Sequence, residues 1–324
     1  MLSTLSLANA SETEAPGTPA GFGFIAIESN YVDGVVDPNE GVLGTNASGA
    51  TDTYDYSISA LLAGDRVIAS STSLDWNIGA SLYQENYRDF DIYNIGSANI
   101  NTTVFAYLPD WRLRARLGHS KLWLDGDGYL NETEYLLGAT WQLDKRYRLQ
   151  ARTRLIDVGA ADREFLRHEG KVYEQQLQLK YRGTQFNWSI DVTARDENRN
   201  DLQFIFFTSV NPDVPRRGFT SYSHESWRWR LKNDWQWSDN WRQSLSFAVR
   251  DARYDDPDIY LTSAGSPRRV LRETQRIDLQ LETSYSVSDS LNWLLRYALL
   301  KDSSNNDNYD FNSRVISLGI DWFI

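Results

Sequence analysis

What most constrains this chain is the alternation of apolar and polar residues, repeated in one segment after another. Trp227, Trp229, Leu231, Trp235 and Trp237 share one face, and Arg228, Arg230, Lys232, Asp234 and Gln236 share the other. Ile277, Leu279, Leu281, Tyr285 and Val287 alternate in the same way with Arg276, Asp278, Gln280, Glu282 and Ser284. Trp111, Leu113, Ala115 and Leu117 alternate with Arg112, Arg114 and Arg116. A period of two belongs to β-strands, because successive side chains leave a strand on opposite faces. From about Phe22 onward no amphipathic helix is recognisable, and no apolar run approaches the roughly 18 residues of a membrane-spanning helix. The alternating segments run roughly 10 to 16 residues, which suits a tilted strand crossing a bilayer.

The connections alternate in length. Short turns fall at Leu108-Pro109-Asp110, Asp144-Lys145-Arg146, Arg182-Gly183-Thr184, Ser238-Asp239-Asn240 and Ser288-Asp289-Ser290. An aromatic residue follows each: Trp111, Tyr147, Trp188, Trp241 and Trp293. Aromatic residues recurring at one height are expected where a barrel meets a membrane–water interface. The intervening connections are longer and polar, at about residues 37–52, 86–93, 124–132, 156–170, 196–221, 253–271 and 302–310. This spacing predicts an all-β, antiparallel, up-and-down transmembrane barrel of about 14 strands, with 12 to 16 compatible. It also predicts short turns and both termini on the periplasmic side. A repeat of about 50 to 55 residues links the units from Ala194-Arg195-Asp196 to Trp241 and from Val249-Arg250-Asp251 to Trp293, each containing Pro-Arg-Arg.

The chain ends Ser317-Leu-Gly-Ile-Asp-Trp-Phe-Ile324. Ser317, Gly319, Trp322 and Ile324 resemble the C-terminal assembly signal of Gram-negative outer-membrane β-barrels of the porin-like kind. That resemblance implies recognition by barrel assembly machinery and residence in the outer membrane, among lipid and lipopolysaccharide. The closing hairpin Trp293–Ile324 contains Asp302-Ser-Ser-Asn-Asn-Asp-Asn-Tyr-Asp310 and Arg314-Val-Ile-Ser-Leu-Gly319. It resembles the barrels linked to tetratricopeptide-repeat domains, which implies polysaccharide export or surface lipoprotein assembly with a periplasmic partner. No helical repeat stands ahead of the barrel here, and no functional residue is carried over. Leu2 to Leu7 followed by Ala8-Asn9-Ala10 reads as the tail of a signal peptide. The expected organisation is residual signal peptide at 1–10, a flexible periplasmic leader at 11–20 and one barrel at 21–324. The absence of Cys fits an envelope protein.

If the apolar faces meet lipid, the lumen receives Arg112, Arg114, Arg116, Arg148, Arg152, Arg154, Arg228, Arg230, Lys232, Arg250, Arg276 and Arg296, together with Lys180, Arg195 and Arg242. Guanidinium forks suit carboxylate and phosphate, and a ladder of them can pass an anion from site to site. Asp75, Glu85, Glu174, Asp191, Asp234, Asp278 and Glu282 share this surface, so the arginines equally suit a braced, closed wall. With a net charge of −11, this basic interior predicts acidity concentrated in loops and chain ends. Two functional readings follow. One is a passive channel for small anions or acidic saccharides; the other is a non-conducting barrel that assists export or assembly. The outer-loop residues Arg216, Arg217, Arg268 and Arg269 form a candidate anion-binding set.

No catalytic constellation is recognisable. The histidines are His119, His168 and His224, and only His119-Ser120 is an adjacent pair. Asp125-Gly-Asp-Gly-Tyr129 has alternating oxygen ligands, but a hairpin turn explains it, so no metal or other cofactor is expected. An acidic chain without a basic domain repels phosphate as a whole, so no nucleic-acid partner is expected.

Overall fold

The computed structural model describes residues 22–33, 54–208, 211–261, 267–306 and 309–324. The expected signal peptide and leader, and the whole of the first long connection, lie outside the described residues. Alternation along the chain becomes eighteen strands: β1 (Phe22–Asp33), β2 (Tyr54–Ser70), β3 (Leu74–Tyr87), β4 (Ile95–Tyr107), β5 (Trp111–Leu124), β6 (Asp127–Gln142), β7 (Tyr147–Ala160), β8 (Gly170–Arg182) and β9 (Phe186–Arg199), followed by β10 (Leu202–Thr208), β11 (Asn211–Thr220), β12 (His224–Gln236), β13 (Trp241–Tyr254), β14 (Asp258–Leu261), β15 (Pro267–Val270), β16 (Glu273–Ser288), β17 (Leu291–Ser304) and β18 (Phe311–Phe323). Fourteen of these close into an antiparallel barrel, in which β9 pairs directly with β12 and β13 with β16. The other four form a separate sheet in the order β10-β11-β14-β15.

The seam joins the two ends of the chain. β1 pairs with β18 from Phe24↔Phe323 to Asp33↔Arg314. Gly23 N donates to Ile324 O at 3.1 Å, and Ile324 N donates to Gly23 O at 2.8 Å. Closure matters because an open edge in hydrocarbon would strand backbone N–H and C=O groups without water. Gly319 serves this seam. A Cβ there would lie 2.8 Å from Glu28 Cγ and 3.0 Å from Ile27 O, so glycine lets the Glu28 side chain cross the pairing strand.

Directly paired residues share a face, so the register fixes which side chains turn outward. The outward face is the apolar one predicted: Trp229, Leu137 and Leu318 are 56%, 63% and 62% exposed. At the rim with the short turns, aromatic rings meet across strands. Trp111 and Trp141 stack with centroids 5.5 Å apart, Tyr147 and Tyr181 are 5.2 Å apart, and Trp241 and Tyr285 are 6.0 Å apart. Toward the opposite rim, Tyr31 lies 5.4 Å from Tyr56. The barrel therefore carries aromatics at both edges of an apolar band, the arrangement suited to spanning a bilayer.

The long connections depart from expectation. Residues 196–221 and 253–271 read as loops, but β9 continues to Arg199, and each connection contains a hairpin, β10–β11 or β14–β15. The hairpins join through the pair Phe219↔Ile259. This gives the sequence repeat a physical form, since each unit is a barrel strand, a hairpin beyond the barrel's long-connection end and a returning barrel strand. Asp196, expected to open a long connection, instead lies within β9 beside the lumen residue Arg195.

Candidate functional site: the lumen and its outer mouth

The register turns every one of the predicted ladder cations into the lumen, and it distributes them unevenly around the wall. On the seven-strand arc from β5 through β9, β12 and β13, the inward cations are Arg112, Arg114, Arg116, Arg148, Arg152, Arg154, Lys180, Arg182, Arg195, Arg199, Arg228, Arg230, Lys232, Arg242 and Arg250. Glu132, Glu134, Glu174, Asp191, Glu197 and Asp234 are the inward carboxylates there. On the other seven strands, among the described residues, only Arg276 and Arg296 are cationic. Glu28, Asp55, Asp65, Asp75, Glu85, Asp278, Glu282, Asp302 and Asp321 face them. These fifteen inward carboxylates are a minority of the chain's 44 acidic residues, but nine of them gather on one half of the lumen, and the result is a basic wall opposite an acidic one. Charge so divided sets a field across the lumen rather than a uniform positive potential.

Buried carboxylates hold the basic wall. Glu174, 5% exposed, lies 2.8 Å from Arg154, 3.7 Å from Arg152 and 3.8 Å from Arg195. Asp191 is fully buried, accepts from Arg230 Nε at 2.8 Å and from Gln176 Nε2 at 3.0 Å, and lies 4.0 Å from Arg228. Arg154 also reaches Glu134, and Arg195 reaches Glu197 at 2.6 Å. A single carboxylate cannot neutralise two or three guanidiniums, so positive charge remains above the anchors. The guanidinium side chains stay partly open to the lumen; Arg228, for instance, is 34% exposed. Toward the short-turn rim, Arg148 and Arg242 donate to Gln142 and Gln236 at 2.6 and 2.7 Å. Arg112 and Arg114 lie over the Phe105 ring at 5.4 and 5.7 Å. The two cations of the acidic arc are saturated: Arg276 is bidentate to Asp302, and Arg296 bonds Glu28 at 2.9 Å and Glu282 at 3.1 Å.

The barrel end that carries the long connections, here termed the outer mouth for its place beyond the strands, holds a polar cluster that the sequence did not suggest. The Arg272 guanidinium lies between the rings of Tyr254 and Tyr309, at 3.6 and 3.8 Å. It donates to Ser221 O at 2.5 Å and lies 3.4 Å from Asp258. Asp258 accepts from Ser221 N at 3.1 Å and from Asn306 Nδ2 at 3.2 Å. All of Ser221, Asp258, Arg272 and Asn306 are buried. This cluster fastens three outer connections together. The turn between β7 and β8 (Arg163–His168) leans across the same mouth. Its Phe165 and His168 meet Tyr129 at 4.7 and 5.4 Å, and His168 meets Tyr222 at 5.3 Å.

No protein-family model matches the sequence, and no curated protein matches it significantly. Solved structures do match. OmpT (in-vitro folded), an outer membrane protein of Vibrio cholerae, aligns with a TM-score of 0.51 at 5% identity, over 94% of this chain and 97% of that one. A deltaS2 mutant of the TodX monoaromatic hydrocarbon channel aligns with 0.50 at 8% identity, over 95% and 90%. The fold is that of the Gram-negative outer-membrane β-barrels. At these identities the likeness is one of fold, and the lumen has to be read from its own residues.

The remaining predicted sites separate. Arg268 and Arg269 are exposed on β15, while the side chains of Arg216 and Arg217 on β11 lie outside the described residues. The Pro-Arg-Arg segments are strands of the outer sheet rather than loop residues. Of the assembly-signal positions, Trp322 and Ile324 are outward and exposed, whereas Ser317 is buried in the lumen wall. His119, the histidine next to Ser120, is an outward residue within β5, and its Nδ1 lies 3.2 Å from Thr133 Oγ1. Asp125 and Gly126 both take positive φ, 49° and 85°, and form the two-residue turn that explains the Asp-Gly-Asp-Gly segment. Sequence reasoning missed Arg272 because nothing in Leu271-Arg272-Glu273 distinguishes it from solvated loop charge.

Proposed function

We propose that this protein is a passive outer-membrane channel for small anionic solutes, acidic saccharides among them. The observation that carries this reading is the excess of guanidinium over carboxylate on the β5–β13 arc, where buried anchors leave the ladder's outer faces toward the lumen. An anion entering from the outer mouth would meet Arg199, Arg195 and Arg228 before Lys232 and Arg242, each offering a weak, exchangeable site. In this reading the short turns and both chain ends face the periplasm, and no residue acts as an enzyme. Reconstituted vesicles provide the test. Uptake of a small uronic acid should exceed that of the corresponding neutral sugar severalfold, and Arg228→Gln with Arg230→Gln should remove most of the difference. Equal uptake of the two sugars by the unaltered protein would contradict the reading.

Two observations favour a second reading, a non-conducting barrel that serves export or surface assembly with a periplasmic partner. Arg276 and Arg296 are fully paired, and the outer connections are fastened over the mouth by Arg272. No uptake of either sugar by a folded, inserted barrel would select it.

A further inference from the structure

Two of the three histidines stand at the outer mouth and make the same uncommon contact. Arg167 Nε donates to His168 Nε2 at 3.1 Å, and Arg250 Nη2 lies 2.6 Å from His224 Nε2. A guanidinium has donors only, so each Nε2 must accept and each imidazole must be neutral. The remaining proton of His224 then belongs on Nδ1, which lies 3.0 Å from the Tyr222 carbonyl oxygen. Both rings also take part in packing. His168 touches Tyr129 of β6 and Tyr222 just ahead of β12, although β6 and β12 are four strand steps apart in the wall. His224 lies 4.9 Å from Tyr254, whose ring also carries Arg272. The rings therefore join the β7–β8 turn and the Tyr222–His224 segment to the fastened outer connections.

We propose that His168 is a proton-operated latch: neutral, it holds the β7–β8 turn over the mouth, and protonated, it releases that turn, while protonation of His224 frees Arg250. The groups acting on His168 are Arg167, Arg199, whose Nη1 donates to the His168 carbonyl at 2.6 Å, and the phenols of Tyr129 and Tyr222. A charge on this ring would break the Arg167 bond and face two guanidiniums. Burial, and then Arg167 and Arg199, push its pKa down to about 4. His224 faces Arg250 of β13, Arg195 and Glu197 of β9, and the tyrosines Tyr222 and Tyr254. Glu197 Oε1 lies 3.6 Å from Nε2. On protonation His224 gains Glu197 as a partner and loses Arg250, whose guanidinium is then free to turn to the lumen. Acid thus loosens the mouth and adds a cation to the uppermost rung.

The sign follows from linkage. The held His168 resists a proton that the released ring would bind with an ordinary pKa near 6.5, so the held state is at full strength above about 6.5 and weakens as pH falls toward 4. That interval allows one proton to shift the equilibrium by at most about 300-fold.

The consequence for transport rests on the channel reading, so the test measures the latch separately. Amide hydrogen exchange of the full, folded barrel in vesicles, corrected for the intrinsic pH dependence, is followed at 163–168 and 221–224 from pH 7 to pH 4.5. We expect protection at 163–168 to fall at least tenfold while β5–β9 stay protected. His168→Phe keeps an aromatic ring without the titrating nitrogen and should leave protection there flat with pH; His168→Asn serves if the Phe variant fails to insert. Flat protection in the unaltered protein, or the same acid loss in the variants, would overturn the latch whether or not the barrel conducts. Acid release in a barrel that passes no ions at any pH would uphold the latch and sink the channel reading.

Discussion

Asp191 is a fully buried carboxylate among guanidiniums, and its place in the wall decides what its removal should do. Asp191→Asn keeps the shape of the side chain but withdraws the charge shared by Arg228 and Arg230. We predict a stronger preference for anions, by roughly twofold in permeability ratio, with little change in barrel stability, because the freed guanidiniums can reach lumen water. Reversal potentials in a salt gradient would show it; an unchanged ratio would mean that the charge at Asp191 does not govern the field that permeating ions meet. At Gly319 the constraint is steric. Gly319→Val should destabilise the barrel by about 1–3 kcal/mol, because the new carbons meet Glu28 and the Ile27 carbonyl in the closed seam. The shift would be read from the urea midpoint of the folded protein, and a midpoint equal to that of the parent would refute the account of the seam.

Among the strands, β12 shows how the two faces of one element answer to different solvents. Trp229→Arg places a cation on the lipid face at mid-strand and should cost about 2–4 kcal/mol of barrel stability. Arg228→Gln, one residue away on the lumen face, should leave stability nearly unchanged while weakening anion preference. Urea titrations of both variants in lipid, analysed side by side, would test the assignment of faces; equal losses would contradict it. The outer elements answer to Arg272. Arg272→Leu leaves Asp258 buried without its guanidinium and removes the tie between Tyr254 and Tyr309. The fourteen barrel strands should persist while residues 255–272 become sensitive to protease; resistance equal to that of the parent would show that the cluster is not what fastens the mouth.

Seen whole, the molecule was legible from its sequence where a period of two suffices. The alternation in Trp227–Trp237 gives the faces of β12, and the aromatics after the short turns give one girdle. Together they yield fourteen strands and most of the inward arginines; Arg182 and Arg199, read as turn and loop residues, lie at strand ends where the alternation stops. What alternation cannot convey is position around the circumference. That Arg116 and Arg195 share an arc while Glu28 and Asp65 lie on the other depends on strand order and register, which the sequence does not spell out locally. The outer sheet was hidden for a related reason: β14 and β15 have only four residues each, too few for a period to appear. Arg272 takes its meaning from Ser221 and Asn306, neither near it in the chain.

The division of the lumen into a basic and an acidic wall is the claim on which the functional account depends. It is tested most directly by the zero-current potential of the refolded protein in a planar bilayer under a salt gradient, before and after Arg228→Gln with Arg230→Gln. Steady openings with anion preference, reduced toward neutrality in the double variant, are the predicted result. Openings that prefer cations, or an anion preference the double variant leaves intact, would contradict the account.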